Sequence, residues 1–166
     1  MSEAETLLAR YKRKGVLVDS NLLLLLFVGL FDPARIKKFK RTGHFSEVDF
    51  RLLVNFLAYF DKAITTPHIL TEVSNLAGQL DRTLLPGFYS VYAASIQRME
   101  EVNRPGVEIV QTDIFRTFGL TDSVIGLVAS TPFLVLTDDL RLATFLAHKK
   151  IDVLPFDVVR SVAGVG

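Results

Sequence analysis

Two unbroken apolar runs, VLV before Asp19 and FLVLT before Asp138, constrain this chain more than any other feature. A strand with one wet face alternates apolar and polar side chains. A strand that is apolar throughout must be covered on both faces, as parallel strands under helices are. Longer segments of helical periodicity separate these runs, so strand and helix alternate and the chain reads as an α/β protein with a parallel sheet. The expected strands are GVLVD, AITT, VEIV, FLVLT and IDVLPF. Helices are expected over residues 3–14, 21–31, 46–60, 67–78, 84–102, 112–118, 122–130 and 140–150. Local chemistry supports several of them. Ser46 followed by Asp49 resembles a capping box, and Phe50, Leu53, Val54, Leu57 and Phe60 recur at helical spacing. Pro67 suits a first helical turn, where its missing N–H needs no partner. Thr121 is placed to cap the helix that carries Asp122.

The segment LLLLLFVGLF, Leu22 to Phe31, invites a membrane reading. It is far shorter than the ~20 residues a spanning helix needs, and Asp19 and Asn21 lie just upstream. A helix buried in a protein core, with no membrane involved, fits better. A dimer or partner surface is the other use for such a helix. The 166 residues suit one domain spanning 1–166. The absence of cysteine excludes disulfides, thiolate metal sites and cysteine nucleophiles. The N-terminal stretch MSEAETLLARYKRKG has no apolar signal core, and a cytoplasmic location is expected. A formal net charge of +1 carries no global signal for nucleic acid. Local clustering does: Arg35, Lys37, Lys38, Lys40 and Arg41 crowd one connection, where they would contact phosphates or simply face solvent. Arg82 and Arg141 are more scattered candidates. Phe39 and Phe45 would stack on bases or join the core.

Asp19 and Asp139 follow apolar strands, whereas Glu72 and Asp122 stand near the starts of helices. Capping and helix-dipole complementarity explain such acids one at a time. They explain all of them together poorly, Asp19 least of all. Strand ends and helix starts meet at one edge of an open α/β sheet, where ligands bind. Carboxylates gathered there cannot all ionise comfortably without a cation, and hard divalent ions such as Mg²⁺ take oxygen ligands. Metal-dependent phosphodiester chemistry follows as the expectation. Asp138 is ambiguous between metal ligand, helix cap and surface acid.

The chain resembles the PIN-domain ribonucleases. The matched features are Asp19 with Asn21 two residues on, Glu72 in a mid-chain helix, Asp122 before Val124-Ile125, and Thr137 with Asp139 in T-x-D. The resemblance implies a Rossmann-like three-layer α/β/α sandwich with a central parallel sheet, in a single PIN-like nuclease domain. It implies Mg²⁺- or Mn²⁺-dependent endoribonuclease activity on an RNA substrate. Asp19, Glu72, Asp122 and Asp139 would be the catalytic and metal-holding residues, and Asn21 and Thr137 would steady them. Ser20 and Ser123 are weaker candidates for that support. The resemblance also implies a toxin of a toxin–antitoxin pair, with an antitoxin protein as partner. Replacing Asp19 by Asn is expected to abolish cleavage and spare the fold. A noncatalytic RNA-binding or protein-interaction module on the same fold is the alternative, and a DNA structure-specific nuclease a third. No G-x-G-x-x-G or G-x-x-x-x-G-K-[ST] motif occurs, which disfavours dinucleotide and P-loop nucleotide binding.

Overall fold

The computed structural model describes residues 2–129 and 132–165. In chain order the elements are α1 (Glu3–Tyr11), β1 (Val16–Val18), α2 (Ser20–Phe31), α3 (Arg35–Lys38), α4 (Glu47–Leu57), β2 (Ala63–Thr65), α5 (Pro67–Ala77), α6 (Leu85–Ile96), β3 (Glu100–Glu101), α7 (Gly106–Ile109), α8 (Phe115–Val128), β4 (Leu134–Thr137), α9 (Leu140–His148), β5 (Val153–Pro155) and α10 (Phe156–Val162). One five-stranded sheet runs β3-β2-β1-β4-β5, and every neighbouring pair is parallel. Helices flank this sheet, an arrangement consistent with a Rossmann-like three-layer fold. A single buried cluster runs from Tyr11 to Val159.

The two diagnostic runs form the sheet's centre. Val16, Leu17 and Val18 of β1, and Leu134, Val135 and Leu136 of β4, are fully buried. Their register pairs Val16 with Leu134 and Val18 with Leu136, which brings the next residues, Asp19 and Thr137, level with each other. A slip of one residue would turn every apolar side chain to the other face and separate that pair.

The Leu-rich segment is a core helix. Leu22 to Leu25, Phe27 and Val28 have no exposure, and α2 packs against α4, α5 and α6. Among the described residues, no helix is long and apolar enough to cross a membrane. The packing is tight enough to dictate a glycine: a Cβ on Gly29 would lie 2.2 Å from a ring carbon of Phe50.

Three expectations change. VEIV is not a strand; Pro105 is extended and opens the single helical turn α7, with Ile109 buried beneath it. The third strand is the exposed pair Glu100–Glu101, held to the edge of β2 by the Val102 amide donating to the Thr65 carbonyl at 2.9 Å and by a Lys62–Glu100 ion pair at 2.9 Å. The helices expected over 112–118 and 122–130 are both present and join as α8 across a kink at Gly119, whose φ of 79° a side chain would resist. Thr121 lies two residues past the kink, already inside the second helix, and makes no capping bond among the described residues; the expected end at Ser130 falls outside the described residues. The weakly patterned tail forms α10.

Candidate functional site

Strand β1 leads away toward β2 on one side, and β4 leads toward β5 on the other. Their neighbouring C-terminal ends thus frame the switch point where open α/β sheets form a ligand crevice. Asp19 leaves the end of β1, and Asp138 and Asp139 leave the end of β4. Helix α5 starts at the end of β2, which brings Glu72 to the same edge, and the first turn of α8 after the Gly119 kink brings Asp122.

Asp19 is the most enclosed of these acids, only 6% exposed. It caps α2, with Oδ1 accepting from the Leu22 amide at 3.1 Å. Its Oδ2 accepts from the Thr137 hydroxyl and from the Asp138 amide at 3.1 Å. Burial pushes its pKa well above the ordinary carboxylate range and the charge of Asp138 adds to this, while the three donors work against the rise. Thr137 is fully buried; its oxygen also accepts from the Asp139 amide at 3.0 Å, so one hydroxyl ties the two strand ends together. Asp139 caps α9, with Oδ1 accepting from the amides of Arg141 at 2.8 Å and Leu142 at 3.0 Å.

Glu72 lies in the second turn of α5, and its Oε2 accepts from the Ser20 hydroxyl at 3.0 Å. Asp122 has a pKa raised to about 6, first by burial and then by the charges of Glu72 and Asp139. Shared neighbours and repulsion link the four acids along one edge of the sheet: Thr137 stands between Asp19 and Asp139, Ser20 beside Asp19 donates to Glu72, and Glu72 and Asp139 repel Asp122. Capping, the plain alternative at sequence level, is also real: Asp19 and Asp139 are both N-caps.

The supporting residues divide. Thr137 touches Asp19, and Ser20 touches Glu72, whereas Asn21 reaches Asp138 Oδ1 at 3.4 Å. The Ser123 hydroxyl turns back to the Gly119 carbonyl at 2.5 Å, away from the acids. Thr66 caps α5, while the hydroxyl of its neighbour Thr65 is buried without a hydrogen-bond partner. Sequence reasoning missed His44, whose Nε2 stands 3.6 Å from Asp138 Oδ2. No local pattern marks His44, because the contact depends on the segment after α3 returning along α2.

The rest of the basic segment stays away from the acids. Arg35 pairs with Asp32 at 3.3 Å, Lys37 donates to the Gly43 carbonyl at 3.2 Å, and Arg41 donates to Gln79 at 2.9 Å. Arg35, Lys38 and Lys40 border a cleft of about 350 Å³ with Gln79 and Asp81. Gln79 lies just past the C-terminal end of α5, so this cleft sits beyond the end of that helix, away from its start at the acidic edge. Phe39 and Phe45 are buried and serve the core.

The donors at the edge are all hard oxygens, and the repulsion that raises Asp122 is the kind a divalent cation reverses. In that respect the residues fit Mg²⁺ or Mn²⁺. They do not form a finished cage: among the described residues, no group of three or more His, Asp or Glu side chains is arranged to hold a metal ion. Comparison with protein-family models, with curated proteins and with solved structures gives no match for this chain, so the reading of the site rests on these residues and their surroundings.

Proposed function

We propose that this protein is a metal-dependent endoribonuclease with a PIN-like fold, hydrolysing RNA phosphodiester bonds at the edge formed by Asp19, Glu72, Asp122 and Asp139. The supporting observation is the gathering of these acids at the β1/β4 switch point, with Asp122 raised to about 6 by burial and by Glu72 and Asp139. Those carboxylates would hold Mg²⁺ or Mn²⁺, which when bound polarises phosphate and lowers the pKa of water. The chain's own contribution is positional. The Thr137 hydroxyl and the Asp138 amide fix Asp19, and Ser20 steadies Glu72. Asp122, near neutrality in its proton affinity, can exchange a proton at its carboxylate when charge arrives nearby.

The test is incubation of a mixed RNA pool with Mg²⁺, Mn²⁺ or EDTA, using the wild type and Asp122→Asn. Cleavage should need the metal and should fall by at least tenfold, the scale expected for losing one ligand or a proton-transfer group. Cleavage that persists in EDTA, or at full rate in the variant, would remove the proposal. Asp19→Asn is a poorer probe than the sequence alone suggests. Either orientation of its amide points an NH₂ at the Thr137 hydroxyl and Asp138 amide, or at the Leu22 amide.

One observation favours a second reading, a noncatalytic RNA-binding module on the same fold: Asp19 and Asp139 already serve as helix caps. RNA binding without cleavage in any divalent metal would select it. A toxin role, with an antitoxin protein or a second copy as partner, rests on the resemblance alone. Co-purification of the chain with a protein encoded beside it would test that role.

A further inference from the structure

Helix α9 carries a stripe that the acidic edge does not use. Arg141, Phe145 and Lys149 recur every four residues and so share one face, running away from Asp139 at the helix start. Opposite them stands Phe118, the last residue before the turn at Gly119. Its ring meets that of Phe145 edge-on, with centroids 5.2 Å apart. The Arg141 guanidinium lies 5.1 Å from the Phe118 ring centre, and the Lys149 ammonium 5.6 Å from that of Phe145. With Thr144 and His148, these residues line a cleft of about 570 Å³, ample for planar aromatic groups. Arg141 has no acidic partner among the described residues, whereas Lys149 is paired with Asp113. The Gly119 turn separates this cleft from the acidic side, because Leu120, just past it, lines a different cleft with Glu72.

We infer that the α8–α9 cleft seats single-stranded RNA adjoining the acidic edge, with bases against Phe118 and Phe145 and phosphates against Arg141 and Lys149. Aromatic rings interleaved with cations are the means by which proteins hold single strands, since every base has a face to stack and every linkage a charge. The geometry sets the direction: Lys149 lies about 15 Å along α9 from Asp139, so the cleft leads away from the acidic edge. The inference rests on the RNA reading above and supplies a track leading to that site.

Binding is measured by fluorescence anisotropy of a labelled single-stranded RNA of about 12 nucleotides, in EDTA so that no cleavage intervenes. Phe145→Leu keeps an apolar side chain and removes the stacking surface; it should weaken binding roughly tenfold. Arg141→Gln, on an exposed side chain, should reduce the log–log salt slope by about 0.7. A duplex of the same sequence should bind less tightly and ignore Phe145→Leu. Unchanged affinity and slope in both variants, with melting as in wild type, would overturn the assignment, as would tighter binding of a poly-glutamate peptide than of RNA. If metal-dependent cleavage persists while both variants bind normally, the cleft fails and the nuclease reading stands. If binding needs the cleft in a protein that cleaves nothing, the reverse holds.

Discussion

Asp122→Asn should stabilise the protein while disabling it. The Asp122 pKa rises from its ordinary value of 3.8 to about 6, through burial and the charges of Glu72 and Asp139. Among the described residues, no hydrogen bond or ion pair compensates it. A rise of that size corresponds to ~3 kcal/mol, but the carboxyl keeps partial access to water, and solvent screening reduces the figure to about 1–2 kcal/mol. The sign follows from proton counting. Below the unfolded pKa both states are protonated and the penalty is absent. Between 3.8 and about 6 the folded state holds a proton that the unfolded state has released, so stability falls as pH rises through this window. Above it the penalty is complete. Asn, nearly the same shape and never charged, escapes it. Urea melts in EDTA at pH 7.5 should therefore show the variant ahead by about 1–2 kcal/mol, or about 2–8 °C in Tm, with the gap shrinking toward pH 4. Added Mg²⁺ should raise the wild-type midpoint more than the variant's, because a ligand stabilises the state that binds it. A variant no more stable than wild type at pH 7.5, or a gap indifferent to pH, would refute the idea that these carboxylates strain against one another.

Three other perturbations test the surroundings. Thr137→Val removes both the donor to Asp19 and the acceptor for the Asp139 amide, so it should cost about 1–3 kcal/mol in chemical denaturation and lower cleavage, with Ser restoring both. Gly29→Ala should destabilise by about 2 kcal/mol or more in the same assay, against the usual helix preference for alanine, because the new Cβ would sit 2.2 Å from the Phe50 ring. Asp49 is buried, which opposes its ionisation, but hydrogen bonds from Arg160 and Ser46 and the Arg160 charge hold its pKa below the ordinary value. Its contribution should be full above pH ~4 and vanish as pH falls through the folded pKa; Arg160→Met should flatten that acid limb of the stability profile.

The central strands and the core helix were legible because burial on all sides leaves an unmistakable mark: VLV, FLVLT and LLLLLF contain no charge. The gathered acids were legible for a related reason, since a strand of that kind can change to polar residues only at its ends. What failed depended on partners distant in sequence. VEIV has the composition of a strand, yet the exposed pair Glu100–Glu101 took the edge of β2, fixed by Lys62 and by the Thr65 carbonyl. The second helix starts directly after the kink at Gly119, two residues earlier than Thr121, so the cap expected at Thr121 lay inside a helix already begun. His44 reached Asp138 only because the connection after α3 folds back, and the same return left most of the basic cluster at the other end of α5.

The enclosure of α2 divides the candidate site into a fixed part and an adjustable one. Asp19 caps a helix whose first two turns, Leu22 to Leu25 with Phe27 and Val28, are sealed from water, so its position is tied to the protein's interior. Backbone amides there should exchange with deuterium only through global opening. Glu72, Asp122 and Asp139 project from helices nearer the surface. Any rearrangement that accommodates an incoming ion or strand must come from them, closing on Asp19 as a jaw closes on an anvil.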